Sequence, residues 1–189
     1  LLTIREKESL FKKLADETNK LIPCDYIAFH TEYSSMNLSS TLSLIKDAKD
    51  QFKIMPPTRN ISLFLLALKS KANGKAEQNY LEVTGESFDK MCEQFSHLKQ
   101  LNEKDSINSI LVLQHSYKNL GGLMVVLGRS LPYSAIKIEP VLELIFTQNR
   151  EAFFGVNEID LAMNLLPYLG LILSNLYAFE EIKILTKKL

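Results

Sequence analysis

Apolar residues recur at helical spacing in some stretches of the chain and alternate in others, and these changes predict its helices and strands. After Thr3 the helical spacing predicts a first helix, with Thr3 and Glu6 as a capping box and Pro23 as its end. Residues 25–33 are rich in aromatic and β-branched side chains and predict a strand. One face of that strand carries Ile27, Phe29, Thr31 and Tyr33, and the other carries Tyr26, Ala28, His30 and Glu32.

The middle of the chain has the weakest pattern, over residues 34–60. Its serines predict a loop, with a short helix from Leu42 to Phe52 and a break at Pro56-Pro57. Three elements follow at clearer spacing: a helix over Ile61–Lys71, a strand over Tyr80–Thr84, and a helix that Ser87 caps and that runs to Gln100.

The clearest local signal is a β-hairpin formed by residues 106–116 and 121–130. Both runs are apolar, and Asn119 and Gly121 between them favour a tight turn. A further helix is predicted over residues 138–147, after Pro132.

A long helix is predicted from Asn157 towards the end of the sequence, with Asn157 as N-cap and Val156 and Leu161 as a hydrophobic staple. Nearly every residue from Ile159 to Leu173 is apolar, so we expect this part to be buried around most of its circumference. From Glu180 onwards, charged residues surround a narrow apolar stripe formed by Ile182, Leu185 and Leu189. Because such a stripe is too thin to be stable alone, it predicts a partner helix.

The order of these elements predicts an α+β domain, in which the N- and C-terminal helices pack on one face of an antiparallel sheet. At 189 residues the chain is long enough for one domain with a substantial core. We assign residues 1–179 to that domain and residues 180–189 to the start of a helix that leads to a separate output domain.

Composition and charge narrow the possible binding partners of the protein and its cellular location. Lysine plus arginine equal aspartate plus glutamate, 22 of each, which argues against electrostatic binding of nucleic acid or of an acidic membrane. Two cysteines and no signal-peptide pattern at the start favour a reducing, cytoplasmic location. The uncharged stretch from Leu161 to Phe179 approaches the length of a membrane span, but Asn164, Pro167 and Asn175 within it favour a core helix.

Enzyme chemistry has little support, because the chain lacks nucleophile-elbow, P-loop and zinc-protease motifs. His30 and His115 lie on predicted strands, where they could share a face and bind a metal with Glu32, although strand histidines are more often structural. His97 is expected to be an exposed helix residue. Cys24 and Cys92 are too far apart in sequence to suggest a metal or catalytic pair, so we predict no catalytic residue and no metal site, and the sequence identifies no cofactor.

Several stretches, taken in order, resemble a GAF domain, the small-molecule sensor module. They are the leading helix, the strand Asp25-Tyr-Ile-Ala-Phe29, the strand Gly121-Gly-Leu-Met-Val-Val-Leu-Gly128, the run Phe153-x-x-x-Asn157-Glu158, and the helix Leu173-x-Asn-Leu-Tyr-Ala-Phe-Glu-Glu-Ile182. The resemblance covers nearly the whole chain, and residues 34–86 match poorly. It implies the α+β fold given above and a regulatory role in signal transduction.

The tail from Tyr177 to Leu189 resembles the exit helix of GAF domains in bacterial enhancer-binding transcription activators, which continues into an AAA+ ATPase. Histidine kinases and cyclic-nucleotide phosphodiesterases have similar exit helices. Asn149-Arg150, Phe153 and Asn157-Glu158 also fit the frame of the cyclic-nucleotide signature of this family, but arginine and asparagine replace its lysine and aspartate. A cap and a first-turn acid explain Asn157 and Glu158 more simply.

The resemblance places an unknown small-molecule effector on the sheet face away from the terminal helices. Candidate contacts on the predicted strands and at the hairpin turn are His30, Tyr33, Tyr80, Glu82, His115 and Tyr117. The leading hypothesis is a sensor domain that controls an absent output domain through its C-terminal helix. The alternatives are a ligand-free dimerisation module, whose pocket Phe64, Leu65 and Leu66 fill, and a cyclic-nucleotide-binding domain. A homodimer through the terminal helices is expected in each case.

Overall fold

The computed structural model describes residues 4–33, 38–73, 79–116, 121–130 and 154–188. The predicted hairpin turn and the predicted helix over residues 138–147 lie outside these ranges. The described elements, in chain order, are α1 (Ile4–Leu21), β1 (Tyr26–Tyr33), β2 (Leu38–Lys46), β3 (Phe52–Ile54), α2 (Arg59–Asn73), β4 (Tyr80–Val83), α3 (Gly85–Gln94), α4 (Ser96–Asp105), β5 (Ile107–His115), β6 (Gly122–Ser130) and α5 (Val156–Lys188).

The strands form one antiparallel sheet in the order β3-β2-β1-β6-β5-β4. Strands β5 and β6 pair directly, which confirms the predicted hairpin strands. The central contact is long-range: β1 pairs with β6 from Tyr26 opposite Gly128 to Glu32 opposite Gly122. The α+β class and the antiparallel sheet are therefore confirmed.

Both faces of the sheet are buried, each under its own helices. The terminal-helix face, named for α1 and α5, joins strand residues to helix residues in one core: Ile27, Phe29 and Tyr33 with Phe11, Leu14, Leu166, Leu169 and Leu173. The opposite face, here called the α2 face, does the same under α2, α3 and α4: Tyr26, Ala28 and Val126 with Phe64, Leu65, Leu68, Phe88, Leu98 and Leu101. The predicted packing of both terminal helices on one face is confirmed.

The prediction of a loop and a helix over residues 34–57 is wrong, because this region contributes β2 and β3. In β2, Leu42 and Leu44 contact the terminal-helix core, while Thr41 and Ser43 alternate towards the α2 face. Ser39 and Ser43 therefore lie on one face of the strand, and Ser40, opposite Thr31, lies on the other. At the turn after β2, the Asp47 carboxylate accepts hydrogen bonds from the backbone N–H groups of Lys49 and Gln51.

The helix predicted over Ser87–Gln100 is two helices, α3 and α4, and Thr84 rather than Ser87 precedes the first. Phe95 between them is extended, with φ −124° and ψ 112°, and its ring packs edge-on against Phe64 at 5.8 Å. The change of direction turns His97 into the core, where it is 3% exposed. The expectation that His97 is an exposed residue is wrong for this reason.

Helix α5 differs from its prediction at its start. It begins at Val156, and the Gly155 carbonyl accepts the hydrogen bond from Ile159 N, so Asn157 lies inside the first turn rather than at the N-cap. The Glu158 carboxylate instead reaches back to Gly155 N at 3.4 Å, as the acid of a capping box does. Val156 is 75% exposed, so the predicted staple does not bury it.

The expected burial around most of α5 is also wrong. The helix lies on one face of a sheet, so it buries a single stripe: Ile159, Ala162, Leu166, Leu169, Gly170 and Leu173. Large apolar side chains remain exposed on its other side, among them Tyr168 at 68%, Leu171 at 58% and Phe179 at 52%. By length and composition α5 is apolar enough to cross a membrane, since an 18-residue stretch of it has a mean hydropathy of 1.4. Core helices of soluble proteins pass the same test.

Arg129, at the end of β6, fixes the start of α5. Its guanidinium forms a bidentate ion pair with Glu158, and its Nε donates a 2.7 Å hydrogen bond to the Pro23 carbonyl. It also stacks on the Phe154 ring, 4.4 Å from the centroid. Because Arg129 is 5% exposed, one buried cation joins β6, the end of α1 and the first turn of α5.

We expect Arg129→Lys to lower the free energy of unfolding by about 2 kcal/mol, because a lysine cannot form the paired hydrogen bonds of the guanidinium. Urea denaturation measures this. Lys90→Ala, which removes the exposed Lys90–Glu86 pair, is the control and should change stability by less than about 0.5 kcal/mol. Equal midpoints for the two variants would contradict the anchoring role of Arg129.

A buried network on the α2 face gives the domain an acid sensitivity. The Tyr26 hydroxyl lies 2.9 Å from Ser43 Oγ and 3.1 Å from His97 Nε2. Burial lowers the pKa of His97 to about 4. The unfolded chain therefore binds a proton on this residue more readily than the folded domain, and stability falls as the pH drops from about 6.5 towards 4.

We expect His97→Gln to remove this part of the pH dependence. Relative to the variant, the wild type should lose about 2 kcal/mol of unfolding free energy between pH 7 and pH 4.5. Urea denaturation at the two pH values is the measurement. If both proteins lost the same unfolding free energy between the two pH values, groups other than His97 would be the cause of the loss.

Candidate functional site

The six predicted ligand contacts do not share one face of the sheet. Of the five that the structure describes, His30 alone points to the α2 face. The other four lie on the terminal-helix face. Tyr33 and Tyr80 pack against the core of that face. Glu82 is paired with Leu111 and His115 with Leu123, and both leucines belong to the same core, so these two side chains point to that face as well. Tyr117 lies outside the described residues. The expectation of a common face is wrong because residues of opposite strand parity were combined. Their binding of a ligand stays a prediction.

The same register separates the two histidines that were considered for a metal. His30 lies opposite Met124, which belongs to the α2 core, and His115 lies opposite Leu123, which belongs to the terminal-helix core. They therefore face opposite sides of the sheet. Within the described ranges, no three His, Cys, Asp or Glu side chains come together as metal ligands.

His30 belongs to a polar cluster on the α2 face, here called the His30 cluster and made of His30, Glu32, Thr41 and Lys69. His30 Nδ1 lies 3.1 Å from Thr41 Oγ1 across the β1–β2 pair. Lys69, in the last part of α2, forms an ion pair with Glu32. His30 Nε2 is buried and has no hydrogen-bond partner in the described part of the chain, since Glu32 Oε1 is 3.6 Å away.

The surroundings of His30 and Glu32 determine the protonation states of these two side chains. Burial lowers the pKa of His30, although the Glu32 carboxylate opposes this, so the imidazole is neutral near pH 7. The hydrogen bond from Lys69 lowers the pKa of Glu32. The cluster therefore offers a neutral imidazole nitrogen beside an ammonium–carboxylate pair, which can exchange partners with a polar ligand.

The opposite face of the same strand holds the exit helix. Thr31 Oγ1 lies 2.8 Å from the Tyr177 hydroxyl, and the Tyr33 hydroxyl donates a 2.6 Å hydrogen bond to Glu181. The rings of Tyr33 and Tyr177 stack with centroids 5.5 Å apart. We call these four residues the β1 latch. Thr31 and Tyr33 alternate along β1 with His30 and Glu32, so successive residues of the strand contact the His30 cluster and α5 in turn.

Helix α1 adds a further contact at the same level. Lys7 lies 2.8 Å from the Glu180 carboxylate, which is 7% exposed. Contacts between α5 and the body of the domain therefore continue as far as Glu181, and the predicted domain boundary at residue 179 falls within them. That boundary stays a prediction.

Glu82 and Glu158 have structural partners. Glu82 accepts a 3.2 Å hydrogen bond from Phe154 N, and burial raises its pKa. Glu158, part of the sequence frame that resembles a cyclic-nucleotide signature, is bound to Arg129, while Asn157 is exposed. Residues 149–153 of that frame lie outside the described ranges.

Neither cysteine is in a setting that favours a thiolate. Burial raises the pKa of Cys24 to about 12 and that of Cys92 to about 11. A thiolate is the nucleophilic form of cysteine, so both side chains are protonated and weakly reactive near pH 7.

Several residues of these sites were not identified from the sequence: Thr41, Lys69, Thr31, Tyr177, Glu181 and Arg129. Tyr177 and Glu181 had a detectable signal, because they are one helical turn apart. The sequence contained no signal for Lys69 and Arg129, since their partners are 37 and 29 residues away along the chain.

Comparison with known proteins gives a similarity at the level of structure and none at the level of sequence families. No family model matches the chain, and no curated protein matches it significantly. Among solved structures, the chain is similar to the GAF domain of a two-component sensor histidine kinase from Bacillus halodurans, with 15% identity and a TM-score of 0.36. That alignment covers 87% of this chain and 99% of the other.

Proposed function

We propose that this chain is a GAF-like regulatory sensor domain of a signalling protein, which binds a small molecule at the His30 cluster and responds through α5. The observation that carries the proposal is the alternation along β1. His30 and Glu32 face a polar, partly buried cluster, while Thr31 and Tyr33 hydrogen-bond the exit helix. One strand therefore contacts both the proposed input site and the proposed output element.

Anionic effectors suit the chemistry of the cluster best. A carboxylate or phosphate that entered it would compete with Glu32 for Lys69 and would give the unpartnered His30 Nε2 a hydrogen-bond partner. Displacement of Glu32 would change the backbone position of β1 at the residues that hold Tyr177 and Glu181. A ligand that favours one arrangement of the strand would then bias the position of α5.

The output belongs to the same proposal. The resemblance of the tail supports an AAA+ ATPase of the enhancer-binding type, and transcription regulation, as what α5 controls. The neutral composition and the absence of a recognisable motif for catalysis support a cytoplasmic, non-enzymatic domain.

A thermal-shift panel of cyclic nucleotides, nucleoside phosphates, amino acids and 2-oxoacids tests the proposal. We expect at least one anionic compound to raise the melting temperature of the wild type, and Lys69→Ala to reduce that shift. Hydrogen exchange over residues 176–188 should change with this compound in the wild type and change less in Tyr33→Phe, which lacks the hydroxyl that binds Glu181.

Lys104→Ala, on the exposed end of α4, is the matched lysine control and should keep the full shift. If no compound in the panel shifts melting, the sensor function fails. If the cyclic nucleotides alone do so, the cyclic-nucleotide alternative replaces the general one.

A dimerisation module is the second candidate function, and the exposed side of α5 supports it. The outward residues repeat every seven positions: Leu161, Asn164, Tyr168, Leu171, Asn175, Ala178, Ile182 and Leu185. A seven-residue repeat of apolar positions is the pattern of a two-stranded coiled coil, in which one asparagine at the seam sets the register. Leu189, predicted to extend this stripe, lies outside the described residues.

We expect the double variant Ile182→Asp, Leu185→Asp to weaken self-association while the domain remains folded, because both side chains are more than half exposed. Sedimentation velocity measures the dimer and near-UV circular dichroism the fold. Leu63→Asp, Leu66→Asp on α2 is the control, since these side chains are 49% and 52% exposed. An unchanged dimer in the α5 variant, or an equal loss in the α2 variant, would contradict a dimer through α5.

A further inference from the structure

Among the residues that the structure describes, the outer edge of β2 is paired only at its C-terminal end. Strand β3 pairs with residues 44–46 of β2, whereas β2 begins at Leu38. Pro56 and Pro57 follow β3 after one residue, Met55. Since proline has no N–H group to donate, these residues cannot continue the ladder, and β3 ends after three residues.

Backbone groups of the unpaired half point outwards in a known pattern. Lys46 N donates to the Asp25 carbonyl, towards β1, and the Ser43 carbonyl accepts from Met55 N, away from β1. Because backbone groups alternate in direction along a strand, those of Thr41 and Ser39 also point away from β1. In the part of the chain that the structure describes, no strand pairs with them on that side.

A groove runs along this edge. It encloses about 500 Å³ and is bounded by Lys7, Glu8 and Phe11 of α1 on the terminal-helix side. On the α2 side the residues that bound it are Thr58, Ile61 and Ser62. The floor is the edge of β2 itself, and the closed end is formed by Ile54 and Met55 of the β3 segment.

The edge lacks the devices that usually prevent strand addition. Natural edge strands are protected by lysines, prolines or bulges. Residues Ser39 to Leu42 include no charged side chain and no proline, and their pairing with β1 is regular from Tyr26 opposite Ile45 to Tyr33 opposite Leu38. Within the described ranges, the outward backbone groups of residues 39–42 thus lie open at the base of the groove.

We propose that the β2 edge binds an extended peptide segment of a partner protein, which adds a strand beside residues 39–42 in the place that β3 leaves. Alternate side chains of such a segment would meet different surroundings. Those towards α1 contact apolar Phe11, Leu42 and Ile54, and those towards α2 meet hydroxyl groups, which belong to Thr41, Ser43, Thr58 and Ser62. The preferred peptide therefore alternates apolar residues with serine or threonine and carries no net charge.

A peptide fits this edge better than a second copy of the domain does. The groove is bounded by a helix on each side, and a second sheet would bring its own α1 and α2 against them. A single strand requires only the width of one more β-spacing, about 4.8 Å. The proposed peptide site uses the outward backbone of β2 and not the Lys69–Glu32 pair, although Thr41 belongs to both sites: its side chain contacts His30, and its backbone lies at the groove.

The test uses fluorescein-labelled (Ser-Val)4 and (Thr-Leu)4 peptides with the whole 189-residue chain. Fluorescence polarisation should show saturable binding of at least one peptide. The same peptide N-methylated at every second residue, which removes the N–H groups that face β2, should bind at least about tenfold more weakly. Thr41→Pro, which removes an outward N–H group, should have the same effect.

Ser39→Lys is the second variant, because Ser39 is exposed and the substitution leaves the backbone intact. It should also weaken binding, whereas Gln100→Lys on α4 adds the same charge elsewhere and should not. Equal binding of the methylated peptide overturns the proposal, as does the absence of binding at about 1 mM. Self-association that Thr41→Pro abolishes, with no peptide able to compete, would assign the edge to a second copy and would also overturn it.

Discussion

The register of β1 is the constraint on which the rest of the structure depends. This strand is bonded to β2 on one edge and to β6 on the other, and both of its faces are buried. A shift by one residue would exchange its two faces. It would place His30 and Glu32 against α5, and Phe29 and Tyr33 among the residues of α2. The core, the His30 cluster and the β1 latch therefore require the same register.

Arg129 fixes the position at which the long helix α5 joins the sheet. Burying a guanidinium is costly unless its charge and its N–H groups are satisfied. Here Glu158, the Pro23 carbonyl and the Phe154 ring satisfy it together. Arg129 and these partners come from three separate parts of the chain, so the contacts form together only when the whole arrangement is correct. The start of α5 is held there, and its far end is held by the β1 latch.

Helix α5 has two apolar sides with different roles. One side closes the core above the sheet, and the other remains exposed and repeats every seven residues. Movement of β1 would reach the first side through Tyr177 and Glu181, while a partner copy would contact the second. A helix with this division can transmit a change in the domain to an assembly outside it. The sensor and dimer proposals thus describe two sides of one element.

The sequence by itself determined the α+β class, the first helix, β1, the hairpin strands and the long final helix, because each is encoded by local periodicity. It also placed alternate β1 residues on the correct faces. Tertiary structure alone decided that the serine-rich segment pairs as β2, since Leu44 becomes buried, and Leu42 partly buried, only beside β1. The same holds for the bend at Phe95 and the one-sided burial of α5, which depend on neighbouring surfaces. Ion pairs such as Lys69–Glu32 and Arg129–Glu158 join distant residues, and no local pattern of a single sequence identifies which charges meet.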